Sequence, residues 1–171
     1  YLLKHLYKKK LDIKTIIKFE KEIGTDFRLF LNNQSYQKNL KKIHAFKQKF
    51  QFYFTLVFPN IRCSTKKIYS KVRKFNKVNH ISYNRIKDKK IFIEYMKKEK
   101  NDLEHIVKKD HPVIKKVLHF LTNQEGCHYS RISGSGSICY GLFDKKKHAI
   151  KAYKKIKNKY PKYWSVITKT I

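Results

Sequence analysis

Two short stretches of this chain carry residue types suited to phosphate chemistry. The first is Tyr129-Ser130-Arg131-Ile132-Ser133-Gly134-Ser135-Gly136-Ser137. Its glycines alternate with serines between two apolar–polar runs, a pattern that reads as strand, loop, strand. Glycine lets a backbone turn where a Cβ would clash, and successive N–H groups in such a turn can form a nest for anionic oxygens. The same composition also suits a tight hairpin in which Gly and Ser serve turn geometry alone, so both readings stand. No Lys-Ser/Thr pair follows Gly136, which excludes a P-loop. Arg131 sits where it would support the strand and loop or touch an anion directly. The second stretch is Gly24-Thr25-Asp26. The lone carboxylate of Asp26 fits either a cap on the next helical turn or a group that orients a reacting hydroxyl.

The elements that would position these groups follow from periodicity. Residues 1–9 and 12–23 read as helices, the second capped by Asp12 and ended by Gly24. Weak strand signals surround Tyr36 and Ile43. Residues 51–58 alternate strongly, with Phe52, Phe54, Leu56 and Phe58 on one face and Tyr53 and Val57 opposite. Ser64-Thr65 starts a helix to about Val72, and residues 74–86 read as a loop. Residues 87–98 are helical, and Asn101 or Asp102 caps a further short unit. Pro112 opens a helix whose buried stripe is Val113, Val117, Leu118 and Leu121. Strands at 127–132 and 138–143 flank the glycine loop. Asp144 is placed to cap a helix over 145–157, and residues 164–170 read as a last strand. After residue 50 the order is β, α, α, α, β, β, α, β, which favours a two-layer α+β sandwich. Residues 1–48 do not complete a core of their own.

Bulk properties narrow the classes. Forty-two Lys and Arg against 12 Asp and Glu give a formal charge of +30 over 171 residues. Such a balance suits nucleic acid, an anionic membrane or phosphorylated metabolites. The arginines number only five: Arg28, Arg62, Arg73, Arg85 and Arg131. Bidentate base and phosphate recognition favours arginine, and the lysines run through nearly every segment. Most of the charge therefore reads as a compositional bias toward Lys, with no specific nucleic acid expected as a partner. A basic α+β nucleic-acid-binding module is the alternative, supported by the charge and by Tyr53, Tyr69 and Tyr129. No apolar run reaches the ~18 residues of a spanning helix, so no membrane is expected. Cys63, Cys127 and Cys139 form no close pair and the eight histidines no metal-ligand spacing, so neither a disulfide framework nor a metal site is expected. A reducing, cytoplasmic location is the expectation.

Taken in order, Gly24-Thr25-Asp26-Phe27-Arg28-Leu29-Phe30, Pro59-Asn60-Ile61-Arg62-Cys63-Ser64-Thr65-Lys66-Lys67-Ile68-Tyr69, Asn101-Asp102-Leu103-Glu104, Ser130 through Ser137 and Tyr160-Pro161-Lys162-Tyr163-Trp164 are more specific than any one piece. The set resembles the 4-diphosphocytidyl-2-C-methyl-D-erythritol kinase family of the GHMP kinase superfamily, C-terminal part, truncated at the N-terminus. The resemblance implies the tail of a ribosomal-S5-like domain over residues 1–48, then a ferredoxin-like two-layer C-terminal domain over 49–171. It implies transfer of the ATP γ-phosphate, with Mg²⁺, to the 2-hydroxyl of a small diphosphocytidyl substrate in non-mevalonate isoprenoid synthesis. Asp26 aligns with the catalytic aspartate, Gly134, Ser135 and Gly136 with the phosphate-facing loop, and Arg131 with a supporting role. Asn101 through Glu104 is implied to stabilise the fold. Two departures stand out. Arg28 replaces a proline, which frees φ and adds a charge. Within these 171 residues there is also no long glycine-serine loop for ATP, no early lysine to assist the aspartate and no set of residues for the cytidine end. The expectation is a kinase homologue that is inactive as a fragment alone.

Overall fold

Asp12 accepts a hydrogen bond from the Thr15 N–H at 2.7 Å and caps helix α1 (Ile13–Ile23) in a computed structural model of the chain. The structure describes residues 12–24, 26–32, 34–39, 42–76 and 86–170, and the helix expected over 1–9 lies outside them. Gly24 ends α1 with φ of 125°, in the region that favours glycine. A short helix α2 (Phe27–Phe30) follows, then strands β1 (Ser35–Asn39) and β2 (Lys42–Ala45). The two strands pair antiparallel with Tyr36 opposite His44, their rings stacked at 5.1 Å. Both weak strand signals thus belong to one hairpin.

The described residues form two compact units, one reaching to residue 49 with residues 86–87, the other made of 50–76 and 88–170. The second unit begins with β3 (Tyr53–Phe58) and helices α3 (Thr65–Ser70), α4 (Lys89–Lys98), α5 (Glu104–Asp110) and α6 (Pro112–Thr122). Strands β4 (Cys127–Ile132) and β5 (Cys139–Phe143), helix α7 (Lys146–Lys159) and β6 (Trp164–Lys169) complete it. The sheet runs β4-β5-β3-β6, all antiparallel, with Leu56 opposite both Tyr140 and Val166. This is the split βαββαβ arrangement. Between β3 and β4 the described residues form four helices, one for each helical stretch read from the sequence and one more than the summed order counts. The run breaks at His111-Pro112, because proline cannot continue a helix but suits the first position of the next.

One sheet face lies under α6 and α7. Val57, Ile132, Cys139, Val107, Ile114, Val117, Leu118, Leu121 and Ile156 make the main cluster there, and Phe143 packs with Ala149 and Ala152 of α7. The α6 stripe enters through Ile114, which is fully buried, rather than Val113, which packs only at its margin. On β3 the fully buried positions are Thr55 and Val57, not the aromatic row. The small residues Ala149 and Ala152 bring α7 close to the sheet, and Thr55 Oγ1 donates to the Ala149 carbonyl at 3.0 Å. Phe52 and Phe54 take the other face. There Phe54 meets Tyr140 edge-on at 5.9 Å and Phe52 stacks on Phe92 of α4 at 5.9 Å.

Asp144 does not cap α7. Lys145 occupies that position without a side-chain bond, and the Asp144 carboxylate pairs with Lys89 instead. Similarly, Leu103 rather than Asn101 or Asp102 precedes α5. Those two side chains are committed elsewhere, as described next.

Candidate functional site

The glycine loop is a turn, and it lines a cleft. The Ser133 N–H donates to the Ile138 carbonyl at 2.8 Å and the Gly136 N–H to the Ser133 carbonyl at 2.9 Å. Gly134 and Gly136 have φ of 53° and 86°, values at which a side chain is disfavoured. They differ in surroundings. A Cβ on Gly136 would lie 3.3 Å from both Cys63 Sγ and Val107 Cγ1, so that glycine closes the loop onto the core. A Cβ on Gly134 would meet no atom within 4 Å, so the space beside its backbone is open. Ser137 is buried and donates to the Ile61 carbonyl, while Ser135 Oγ shares a hydrogen bond with Thr65 Oγ1 at 2.9 Å.

The cleft lies wholly in the second unit and is an open depression of about 470 Å³. Arg131, Ile132, Ser133, Gly134 and Tyr140 form one wall. Tyr69 at the end of α3 and Phe75 supply an aromatic wall, and Lys100 through Leu103 also line the cleft. Tyr69 is 52% exposed and Phe75 61% exposed. Two large aromatics standing open at a cleft mark a surface for a flat or apolar ligand group. Sequence reasoning missed Phe75 and singled out Tyr69 only in support of nucleic-acid binding. Their only signal is a pair of aromatics six positions apart within a lysine-rich segment.

Arg131 is held rather than free. Its Nη2 donates to the Met96 carbonyl at 3.2 Å, and its guanidinium lies 4.7 Å from the centre of the Tyr129 ring. Burial raises the hydroxyls of Tyr129 and Tyr140 above the usual phenol range. Asn101 Nδ2 donates to the Gly134 carbonyl at 2.8 Å and to the Ile132 carbonyl at 3.2 Å, while its Oδ1 accepts from the Leu103 N–H at 3.0 Å. Glu104 accepts from the Ile132 N–H at 3.1 Å and pairs with Lys108 at 3.0 Å. The Asp102 carboxylate accepts from the backbone and side-chain N–H groups of Asn76. Each acid in this run is thus engaged within the fold. Among the described residues no group of three or more His, Cys, Asp or Glu is arranged to hold a metal.

The three thiols are not poised as nucleophiles. Burial pushes Cys139 up to about 12 and Cys127 up to about 11, and it raises Cys63 with help from nearby Asp110. Asp26 is exposed in the first unit, in the turn before α2, where its carbonyl accepts from the Leu29 N–H at 2.9 Å. Phe27 beside it is buried and packs on Phe19, ring centres 5.3 Å apart. Gly134, Ser135, Gly136 and Arg131 belong to the second unit. Among the described residues no helix is long and apolar enough to cross a membrane.

Comparison with known proteins gives a consistent result. Residues 82–162 match the GHMP kinases C terminal family. The 4-diphosphocytidyl-2-C-methyl-D-erythritol kinase of Pelagibacter ubique strain HTCC1062 is 35% identical over 155 residues, covering 90% of this chain and 54% of that enzyme. The chain therefore spans about half the length of this curated relative. A crystal structure of a 4-(cytidine 5′-diphospho)-2C-methyl-D-erythritol kinase superposes with a TM-score of 0.68 at 20% identity, over 97% of this chain and 60% of the other. The homoserine kinase of Cytophaga hutchinsonii ATCC 33406 superposes with a TM-score of 0.63 at 14% identity, over 99% of this chain and 61% of the other. These two likenesses establish the fold, the α+β architecture of the GHMP-kinase C-terminal domain.

Proposed function

We propose, from the premise that this chain is a homologue of the GHMP kinases and carries the C-terminal domain of the 4-diphosphocytidyl-2-C-methyl-D-erythritol kinases, that it supplies the C-terminal half of that kinase's phosphotransfer site. The reaction would pass the ATP γ-phosphoryl group to the 2-hydroxyl of 4-diphosphocytidyl-2-C-methyl-D-erythritol. One observation carries the reading: a single cleft has an aromatic wall at Tyr69 and Phe75 and a glycine-loop wall at Ser133 and Gly134. A diphosphocytidyl compound has matching parts, a flat base and a charged diphosphate.

Each residue then has a part. Tyr69 and Phe75 would hold the cytosine ring. Gly134 would let diphosphate oxygens approach the backbone where a side chain would stand in the way. Lys100 and Arg131 would screen the charge, Arg131 while remaining tied to Met96. Asp26 would accept or orient the proton of the attacking hydroxyl, a role that in phosphoryl transfer is mainly positional. ATP with Mg²⁺ would supply the transferred group and neutralise charge on it. We place residues 1–48 in the tail of a ribosomal-S5-like domain and 49–171 in the C-terminal domain.

The test is a chimera in which this chain replaces the matching stretch of the Pelagibacter ubique relative. ADP release should require 4-diphosphocytidyl-2-C-methyl-D-erythritol. Replacing Asp26 with Asn in the chimera should lower kcat by about 10²-fold or more with little change in KM. A chimera that unfolds cooperatively yet releases no substrate-dependent ADP would overturn the proposal.

A further inference from the structure

Asn101 and Asp102 are neighbours in sequence, and their side chains reach two different walls of the cleft. Asn101 Nδ2 donates to two carbonyls of the glycine-loop wall, Gly134 at 2.8 Å and Ile132 at 3.2 Å. The Asp102 carboxylate accepts from the Asn76 backbone N–H, at 3.3 Å to each oxygen, and from the Asn76 side chain. Asn76 directly follows Phe75 on the aromatic wall. A third tie crosses the top, where Thr65 of α3 meets Ser135 of the loop at 2.9 Å. Hydrogen bonds thus tie both walls to these two residues, and a further one ties α3 to the loop.

We infer that Asn101 and Asp102 are positioning residues that couple the aromatic wall to the glycine loop, so that the ligand's flat end and charged end are registered against each other. The physical basis is the short link. One peptide unit joins the two side chains, and the Leu103 N–H bond to Asn101 Oδ1 at 3.0 Å fixes that unit. Leu103 is itself buried in the main cluster. Displacing either wall must then move a backbone anchored in the core, or break hydrogen bonds on the other wall. A carboxylate acceptor at Asp102 and an amide donor at Asn101 suit their partners: N–H groups need an acceptor and carbonyls need a donor. The inference rests on the kinase reading only for the identity of the ligand.

The test is residue-resolved amide exchange on the full 171-residue chain. Asn101→Asp keeps the acceptor for Leu103 but removes the donors to Gly134 and Ile132. Asp102→Ala removes the acceptor for Asn76. Each should speed exchange on the wall it does not touch by about tenfold: at Asn76 in Asn101→Asp, and at Gly136 in Asp102→Ala. The Val57 and Leu121 amides should not change. Asp102→Asn, which retains one acceptor oxygen, should restore protection at Gly136. If Asp102→Ala loosens the whole unit, Asn76→Ala replaces it, since it removes the side-chain donor of the same tie. Titration with cytidine 5′-diphosphate adds a ligand readout. Each single change should weaken binding about tenfold, and the double variant should lose less than the product of the two. Loosening confined to each residue's own wall, or losses that simply multiply, would overturn the coupling. A wild-type chain that shows coupled exchange yet ignores cytidine 5′-diphosphate would count against the kinase reading and leave the coupling standing.

Discussion

Replacing Gly136 with alanine should destabilise the second unit well beyond the same change at Gly134, although the two glycines flank one serine. Both have positive φ, 53° at Gly134 and 86° at Gly136. A non-glycine residue in the left-handed region costs about 1–2 kcal/mol, and the loss of chain freedom in the unfolded state returns about 0.4–1 kcal/mol. At Gly134 nothing lies within 4 Å of the added methyl, so the net change should be about 1 kcal/mol or less. At Gly136 the methyl would stand 3.3 Å from Cys63 Sγ and from Val107 Cγ1. Val107 is fully buried and has no room to retreat. Overpacking of this kind adds about 1–3 kcal/mol, for a total of about 2–4 kcal/mol. At roughly 4 °C per kcal/mol for a unit of this size, Gly136→Ala should lower Tm by about 8–16 °C and Gly134→Ala by about 4 °C or less. Cys63→Ala, which removes one of the crowding atoms, should recover part of the loss, so the pair should be non-additive. Thermal unfolding followed by circular dichroism reads the wild type, the three single variants and the double variant. Equal losses at the two glycines, or strict additivity with Cys63→Ala, would refute the argument from close approach.

Three further outcomes follow from the same geometry. Thr55→Val should lose about 1 kcal/mol by denaturant unfolding, because the fully buried Thr55 hydroxyl donates to the Ala149 carbonyl at 3.0 Å; a stabilised variant would show that the bond adds nothing to packing. Iodoacetamide at pH 8 should leave Cys139 and Cys127 unmodified in the folded chain and label both in denaturant, since burial holds them near about 12 and about 11; rapid native labelling, read by peptide mass, would contradict the burial. The bond to Lys89 holds the Asp144 carboxyl below its ordinary 3.8, so this group's stabilisation is present above pH 3.8 and is lost as pH falls through the lower folded value. Because the pair is partly exposed, the wild type should exceed Asp144→Asn by only about 0.2–1 kcal/mol at pH 7. The two should converge in urea titrations run at progressively lower pH below 3.8, and a gap that widens there would reverse the sign of the argument.

What the sequence discloses and what it hides divide along a physical line. Features fixed by residues close in the chain are legible: Asp12 capping α1, Gly24 ending it, Pro112 opening α6, and the strand–glycine loop–strand unit. Features fixed by contacts across the chain are not. The alternation of β3 is correct as a period. Which face is sealed depends on α7, nearly 100 residues away, whose Ala149 carbonyl accepts from the buried Thr55 hydroxyl. Asp144 has the type and place of a cap, yet Lys89 reaches it first. Asn101 and Asp102 read as caps because cap and clamp use the same short polar side chains. Only folding brings Gly134 and Asn76, 33 and 26 residues away, within reach of them. The candidate site follows the same rule. Its glycine wall is a local motif, while its aromatic wall exists because α3 and the segment to Asn76 are tied to that motif by Thr65 and Asp102. A site assembled from one local motif and one distant arm depends on the ties between them. Those ties, more than the glycines, determine whether the cleft presents both walls to one ligand.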